Sequence, residues 1–164
     1  MIAETERIII RKFIPSDFNS LYALMSDPDT MKFTGFNVTQ TRERTKELLS
    51  KWEQEGQQGL GVWSVVEKNT NFFIGWVMLK LTNTKHPELG YMIYKPYSGK
   101  GYATEIAKTM LEYGFKKLKL PKIIAVTSPE NYASIRVLEK SGMKRAPELT
   151  HTEGGIYFIA DSIN

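Results

Sequence analysis

The stretch Glu88–Glu105, E-L-G-Y-M-I-Y-K-P-Y-S-G-K-G-Y-A-T-E, constrains this 164-residue chain more than any other. It reads as a strand, a tight turn and a helix start. Glu88 to Tyr94 is apolar and aromatic, as a buried strand is. Pro96 has no N–H to give a sheet ladder, so the strand stops there. Gly99 and Gly101 free the backbone for positive φ and for close approach to a ligand. From Ala103 the period becomes helical: Ala103, Ile106, Ala107, Met110, Leu111, Phe115 and Leu118 line one face. A glycine-rich turn feeding a helix start presents unpaired N–H groups with the helix dipole behind them, which suits a phosphate. Lys100 adds a mobile positive charge. A plain strand-to-helix connection uses the same glycines, so their spacing alone leaves both readings open.

Two familiar nucleotide sites fail on the residues. A dinucleotide fingerprint needs a third glycine where Thr104 stands, and an acidic residue about twenty positions on, where the chain has Pro121. The pattern G-x-x-x-x-G-K-[ST] occurs nowhere. The run G-Y-M-I-Y-K-P-Y-S-G-K-G-Y-A-T-E instead resembles the acetyl-CoA motif of the GNAT superfamily of N-acetyltransferases, Gln/Arg-x-x-Gly-x-Gly/Ala. Pro96 stands at the Gln/Arg position, and Gly99 and Gly101 supply the glycines. The variant G-K-G-Y-A-T-E is similar to the ribosomal-protein N-terminal (Rim-type) branch. A second GNAT motif, Asn-x-x-Ser-x-x-x-Leu-x-Lys-x-Gly-Phe, is matched in place by Asn131, Ser134, Leu138, Lys140 and Gly142, with Met143 for the Phe. Two motifs in the expected order, about thirty residues apart, are far more specific than either alone.

Composition agrees with a single domain of ordinary size over residues 1–164. The hydrophobic fraction is 41%, normal for a globular chain. With no cysteine, disulfides, thiolate metal sites and cysteine nucleophiles are excluded. The only histidines are His86 and His151, which offer no His-x-x-x-His pair, so no metal is expected. The net charge of +4 suits a polyanionic cofactor as well as nucleic acid. No compact basic arm favours the latter, and Phe115–Leu120 reads as a solvated helix end. No apolar run reaches membrane-spanning length and no signal-peptide pattern opens the chain, so a cytoplasmic protein is expected. No G-x-S-x-G elbow supports a serine hydrolase.

In chain order, Arg7 to Phe13 reads as a strand. Ser16 caps a helix with Phe18, Leu21, Tyr22 and Met25 on its apolar face, closed by Pro28. Met31 to Val38 is a loop. A second helix spans about Thr41 to Glu55, with Leu48, Leu49 and Trp52 as its buried stripe. Gly61–Glu67 and Phe72–Leu81 form a hairpin around Asn69–Asn71. After the turn at Thr82–Lys85 come the strand Glu88–Tyr94 and a long helix to Lys119. Lys122–Thr127 is a short strand, followed by a helix within Ser128–Met143 that Gly142 terminates. Strands near Lys144–Leu149 and Gly155–Ser162 end the chain. This order gives an α/β (α+β) domain on one mixed sheet. The resemblance implies the GNAT fold: a mostly antiparallel sheet of about six to seven strands and about four helices, splayed between the fourth and fifth strands.

The resemblance also implies acetyl transfer from acetyl-CoA directly to a primary amine, with a protein N-terminal α-amine as the first acceptor to test. Polyamines, aminoglycosides and amino acids are alternatives, as is a silent acyl-CoA-binding module. The expected cofactor cradle is Tyr97, Ser98, Gly99, Lys100, Gly101, Tyr102 and Ala103, acting through backbone N–H groups. Met92, Ile93 and Tyr94 are expected to pair with the pantetheine arm, with the N–H of Met92 or Ile93 as oxyanion donor. Asn131 and Lys140 complete the cofactor contacts. Glu88, on one face with Gly90 and Met92, is the candidate general base, or else a solvated strand-end carboxylate. Many family members place a tyrosine acid at the position of Leu138. Here Ser134, one turn earlier, is the candidate partner for the leaving sulfur, or an N3 residue under an Asn131 cap. Phe33, Phe36 and Trp52 are candidate acceptor contacts, with ordinary packing as the alternative. Monomer and homodimer are both compatible with the sequence.

Overall fold

The computed structural model describes residues 1–34, 38–82, 85–149 and 154–162. Eight strands form one sheet. A two-residue strand, β1 (Ala3–Glu4), precedes β2 (Ile8–Arg11), and the two pair antiparallel. Helices α1 (Phe18–Met25), α2 (Pro28–Met31) and α3 (Arg42–Gln54) follow. Then come β3 (Gly61–Glu67), β4 (Phe73–Lys80) and β5 (Glu88–Ile93). Helix α4 (Tyr102–Glu112) crosses to β6 (Lys122–Thr127), and α5 (Tyr132–Lys140) leads to β7 (Lys144–Arg145) and β8 (Ile156–Asp161). The spatial order is β1-β2-β3-β4-β5-β6-β8-β7. Every pairing is antiparallel except β5 with β6. Among the described residues the expected six or seven strands and four helices become eight and five, because β1 and α2 are too short to leave a periodic pattern.

The sheet carries two cores. On one face Ile8, Ile10, Trp63, Val77, Leu89 and Phe158 pack under α4 and α5. On the other, Val62, Phe73, Trp76 and Met92 pack under α1 and α3. The helical stripes read from the sequence are buried: Ile106, Ala107 and Met110 in α4, and Leu48, Leu49 and Trp52 in α3.

Four local expectations need correction. Ser16 does not cap α1: Pro15 starts a 3-10 turn over Pro15–Asp17, so α1 begins only at Phe18. The buried Asp17 carboxylate takes the polar role there, accepting from the Ile14 N–H at 2.9 Å and from both Arg11 terminal nitrogens at 2.8 and 3.0 Å. Pro28 opens α2 under an Asp27 cap and does not close α1. The helix after the glycine turn widens to π geometry at Tyr113–Lys117, where the Tyr113 hydroxyl donates to the Gly59 carbonyl at 2.9 Å and Gly114 lies close to Ile123. The strand near Lys144 lasts two residues, then Pro147 turns the chain into a 3-10 segment, Pro147–Leu149.

Candidate active site

One residue pair, Glu88 with Ile124, joins β5 to β6. The Ile124 N–H donates to the Pro87 carbonyl at 3.0 Å, and no further ladder pair forms beyond that end. Alternation then fixes which backbone groups face the gap. The Tyr94 N–H donates to the Ile74 carbonyl at 2.6 Å, toward β4. Residues two apart point the same way, so the Met92 N–H also faces β4, where Met92 sits opposite Trp76. The N–H and C=O of Tyr91 and Ile93 face the gap, as do those of Val126 on β6. Of the two expected oxyanion donors, Ile93 therefore fits and Met92 does not. Tyr94 is turned away from the gap altogether.

The gap opens into a cleft of about 1070 Å³. Its far end is the glycine turn. Gly101 is the N-cap of α4 with φ +82°, Gly99 has φ +74°, and a Cβ at Gly99 would meet nothing within 4 Å. Gly99 thus borders open space, and the first N–H groups of α4 have no intrahelical partner, an arrangement that can hold an anion. Tyr97, Ser98, Gly99, Gly101, Tyr102 and Ala103 border it, together with Lys140 from α5. Lys100 is not among the bordering residues: its ammonium lies over the Tyr97 ring, 5.9 Å from the centroid. Tyr102 is buried, and its hydroxyl donates to Glu67 Oε1 at 3.0 Å, so it offers the cleft mainly backbone.

On the α5 side, Asn131 caps the helix, its Oδ1 accepting from the Ser134 N–H at 3.2 Å. The cap expected for Ser134 is thus present, and its side chain stays available to the cleft. The Ser134 hydroxyl lies 3.1 Å from the Tyr91 hydroxyl. Burial raises the Tyr91 phenol above its ordinary value, so Tyr91 stays protonated and able to donate. Tyr91 is not among the residues that the sequence motifs single out. Strand parity was the available signal, since it puts Tyr91 on the face of Leu89 and Ile93, opposite Glu88. Leu138 is buried in the core.

Glu88 stands at the joined end of the gap, on the α3 face, half-buried. Its Oε1 accepts from the Thr82 hydroxyl at 2.8 Å. Burial raises its carboxyl, opposed by the Thr82 bond and by Lys80, its cross-strand neighbour. Trp52 is only 5% exposed, packed between the tilted rings of Phe13 and Trp76 at centroid distances of 5.6 and 5.2 Å. It is foremost a core side chain that walls the cleft with its remaining surface. Phe33 is exposed, borders the cleft and lies under the Lys32 ammonium. Phe36 lies outside the described residues, as does His151.

A mixed sheet that splays beside a glycine turn, with a long cleft opening from the splay to that turn, is the architecture of an acyl-CoA N-acyltransferase. The acetyltransferase (GNAT) domain model matches residues 7–144, and the chain belongs to that family. It is 34% identical over 142 residues to the uncharacterized N-acetyltransferase YnaD of Bacillus subtilis, covering 86% of this chain and 81% of that one. The crystal structure of a GNAT-family acetyltransferase from Bacillus anthracis superposes with a TM-score of 0.84 at 31% identity, over 97% of both chains. RimL, the ribosomal L7/L12 α-N-protein acetyltransferase in complex with coenzyme A, shares the fold at TM-score 0.80 and 12% identity, over 98% of this chain and 97% of that one. The protein is an acetyl-CoA-dependent N-acetyltransferase. Among the described residues, no helix is long and apolar enough to cross a membrane.

Proposed function

We propose that this enzyme acetylates a primary amine directly, without an acyl-enzyme, and that its acceptor is a protein or peptide N-terminal α-amine. The observation that carries the mechanism is the gap between β5 and β6: the pairing of β5 with β4 leaves the Ile93 N–H facing it, and the gap has a half-buried carboxylate at its joined end and a hydroxyl pair along its α5 side. Acetyl-CoA supplies the activated acyl carbon. The turn Tyr97–Ala103 and Lys140 hold its diphosphate end, and the backbone of Tyr91 and Ile93 holds the pantetheine arm. Ile93 N–H donates to the acyl oxygen as negative charge develops there, a role worth about 3–4 kcal/mol in enzymes where it has been measured. Glu88 accepts the proton of the attacking amine, directly or through a water. An α-amine, with a pKa of about 8, asks less of this base than a lysine at about 10.4. Ser134 donates to the departing sulfur, and Tyr91 donates to Ser134 Oγ, leaving the serine proton free for that task.

The acceptor rests on the likeness of G-K-G-Y-A-T-E to the Rim-type motif. Release of CoA thiol tests it against peptides with free and blocked N-termini, a polyamine, lysine and an aminoglycoside. Turnover confined to free N-termini is expected. Turnover on a small amine with none on peptides would overturn the acceptor assignment, and CoA binding without turnover on any amine would favour a silent module.

A further inference from the structure

The side of the glycine turn away from the cleft holds a cluster that the chemistry above does not use. Arg7, just before β2, reaches across 98 positions of sequence to α4. Its Nε donates to Glu105 Oε2 at 2.7 Å, and a terminal nitrogen pairs with the same oxygen at 2.5 Å. The other terminal nitrogen donates to the Lys100 carbonyl at 3.1 Å. The guanidinium lies over the Tyr102 ring, 4.1 Å from its centroid. The second Glu105 oxygen accepts from the Thr5 hydroxyl at 2.6 Å.

For stability such a half-exposed pair counts for little. Its geometric effect is larger. The Lys100–Gly101 peptide is planar and trans, so its C=O and N–H point in opposite directions. A carbonyl held by Arg7 behind the turn commits the Gly101 N–H to the cleft side. A second effect is electrostatic. Glu105 sits in the first turn of α4, at the same helix end that can hold an anion. Left unpaired, its charge would repel a diphosphate; paired to Arg7 it does not.

We infer that Arg7 is a positioning residue for the diphosphate cradle: it sets the Gly101 N–H through the Lys100 carbonyl and cancels the Glu105 charge. This rests on the reading that the turn Tyr97–Ala103 takes the diphosphate of CoA. Protein-observed NMR titration, which reads millimolar affinities, measures CoA and pantetheine binding to the parent protein, Arg7→Met, Arg7→Lys and Glu105→Gln. Pantetheine lacks the diphosphate. Arg7→Met should weaken CoA by roughly 10- to 100-fold, the value of a charge-assisted hydrogen bond, while pantetheine changes less than about twofold. Arg7→Lys keeps the charge without the planar fork and should fall between. Glu105→Gln removes the charge that needs cancelling and should lose less than Arg7→Met. The same spectra report whether each variant is folded. CoA affinity within about twofold of the parent in Arg7→Met and Arg7→Lys would overturn the inference. Equal losses for CoA and pantetheine would also overturn it, since a merely structural role gives that result. Failure of the parent protein to bind CoA would overturn the cleft reading itself, a different outcome from either.

Discussion

Replacing Gly75 by alanine tests the packing that shapes the gap. Gly75 lies opposite Ile93 on β4, beside the bulge at Val65/Val66. A Cβ built there stands 1.9 Å from the Met92 carbonyl oxygen, 3.0 Å from its carbon and 3.1 Å from Ile93 Cα. Real Cβ atoms essentially never approach closer than 3.0 Å, and backbone atoms cannot rotate aside. The strands must therefore part by more than an ångström at this point. The Tyr94-to-Ile74 hydrogen bond and the Trp76–Met92 pair flank the site. Losing two such bonds costs about 1 kcal/mol each, and overpacking adds about 1–3 kcal/mol. The total of roughly 3–5 kcal/mol should lower Tm by roughly 6–20 °C in a domain of this size. Gly99→Ala is the control. Its Cβ meets nothing, so it bears only the left-handed backbone penalty of about 1–2 kcal/mol. Thermal unfolding followed by circular dichroism should therefore order Gly75→Ala well below Gly99→Ala. CoA affinity should fall in Gly75→Ala as well, because the displaced peptide carries the Ile93 N–H. A Tm for Gly75→Ala at or above that of Gly99→Ala would refute the steric reasoning.

Glu88→Gln should remove the acid-side limb of the pH–rate profile, where the rate rises as the base loses its proton, and lower kcat by about 10²–10⁴. Its stability should move the other way. A carboxyl raised above its ordinary value of 4.5 binds more protons folded than unfolded, so stability falls as pH rises through that window. Urea unfolding at neutral pH should find Glu88→Gln at least as stable as the parent, and a clear loss would contradict the burial argument. Tyr91→Phe should lower kcat while leaving KM for acetyl-CoA unchanged, and should add nothing to Ser134→Ala when combined with it. Additive losses would separate the two hydroxyls. Asp17→Ala strands the Arg11 guanidinium, which is a quarter exposed, and should cost about 2–3 kcal/mol in urea unfolding. A change under about 0.5 kcal/mol would show that water serves Arg11 equally well.

Much of this arrangement is legible in the chain, where one local rule decides the outcome. The β5 run, the glycine turn, the α4 stripe and the Asn131 cap each follow from period or chemistry within a dozen residues. The sequence does not show which backbone amides face the gap, because that depends on the hydrogen-bond parity between β4 and β5. It predicts Met92 as readily as Ile93. The Tyr91–Ser134 contact joins two elements whose spacing along the chain carries no shared pattern, and the Arg7–Glu105 contact spans still more. Trp52 carries both of its readings, since it borders the cleft while tilted packing against Phe13 and Trp76 claims most of its surface. At Ser16, a good cap residue is overruled by Pro15 before it and by Asp17 after it, whose carboxylate satisfies both Arg11 and the Ile14 N–H.

The single bridge between β5 and β6 has a thermodynamic consequence beyond catalysis. The sheet consists of two plates riveted at one end, with the cleft along the seam between them. A ligand laid in that seam adds cohesion by mass action, about 2.7 kcal/mol at a hundredfold excess over its Kd. If acyl-CoA lies in that seam, as proposed above, the folding stability of this enzyme should rise with the acyl-CoA concentration at which it is measured.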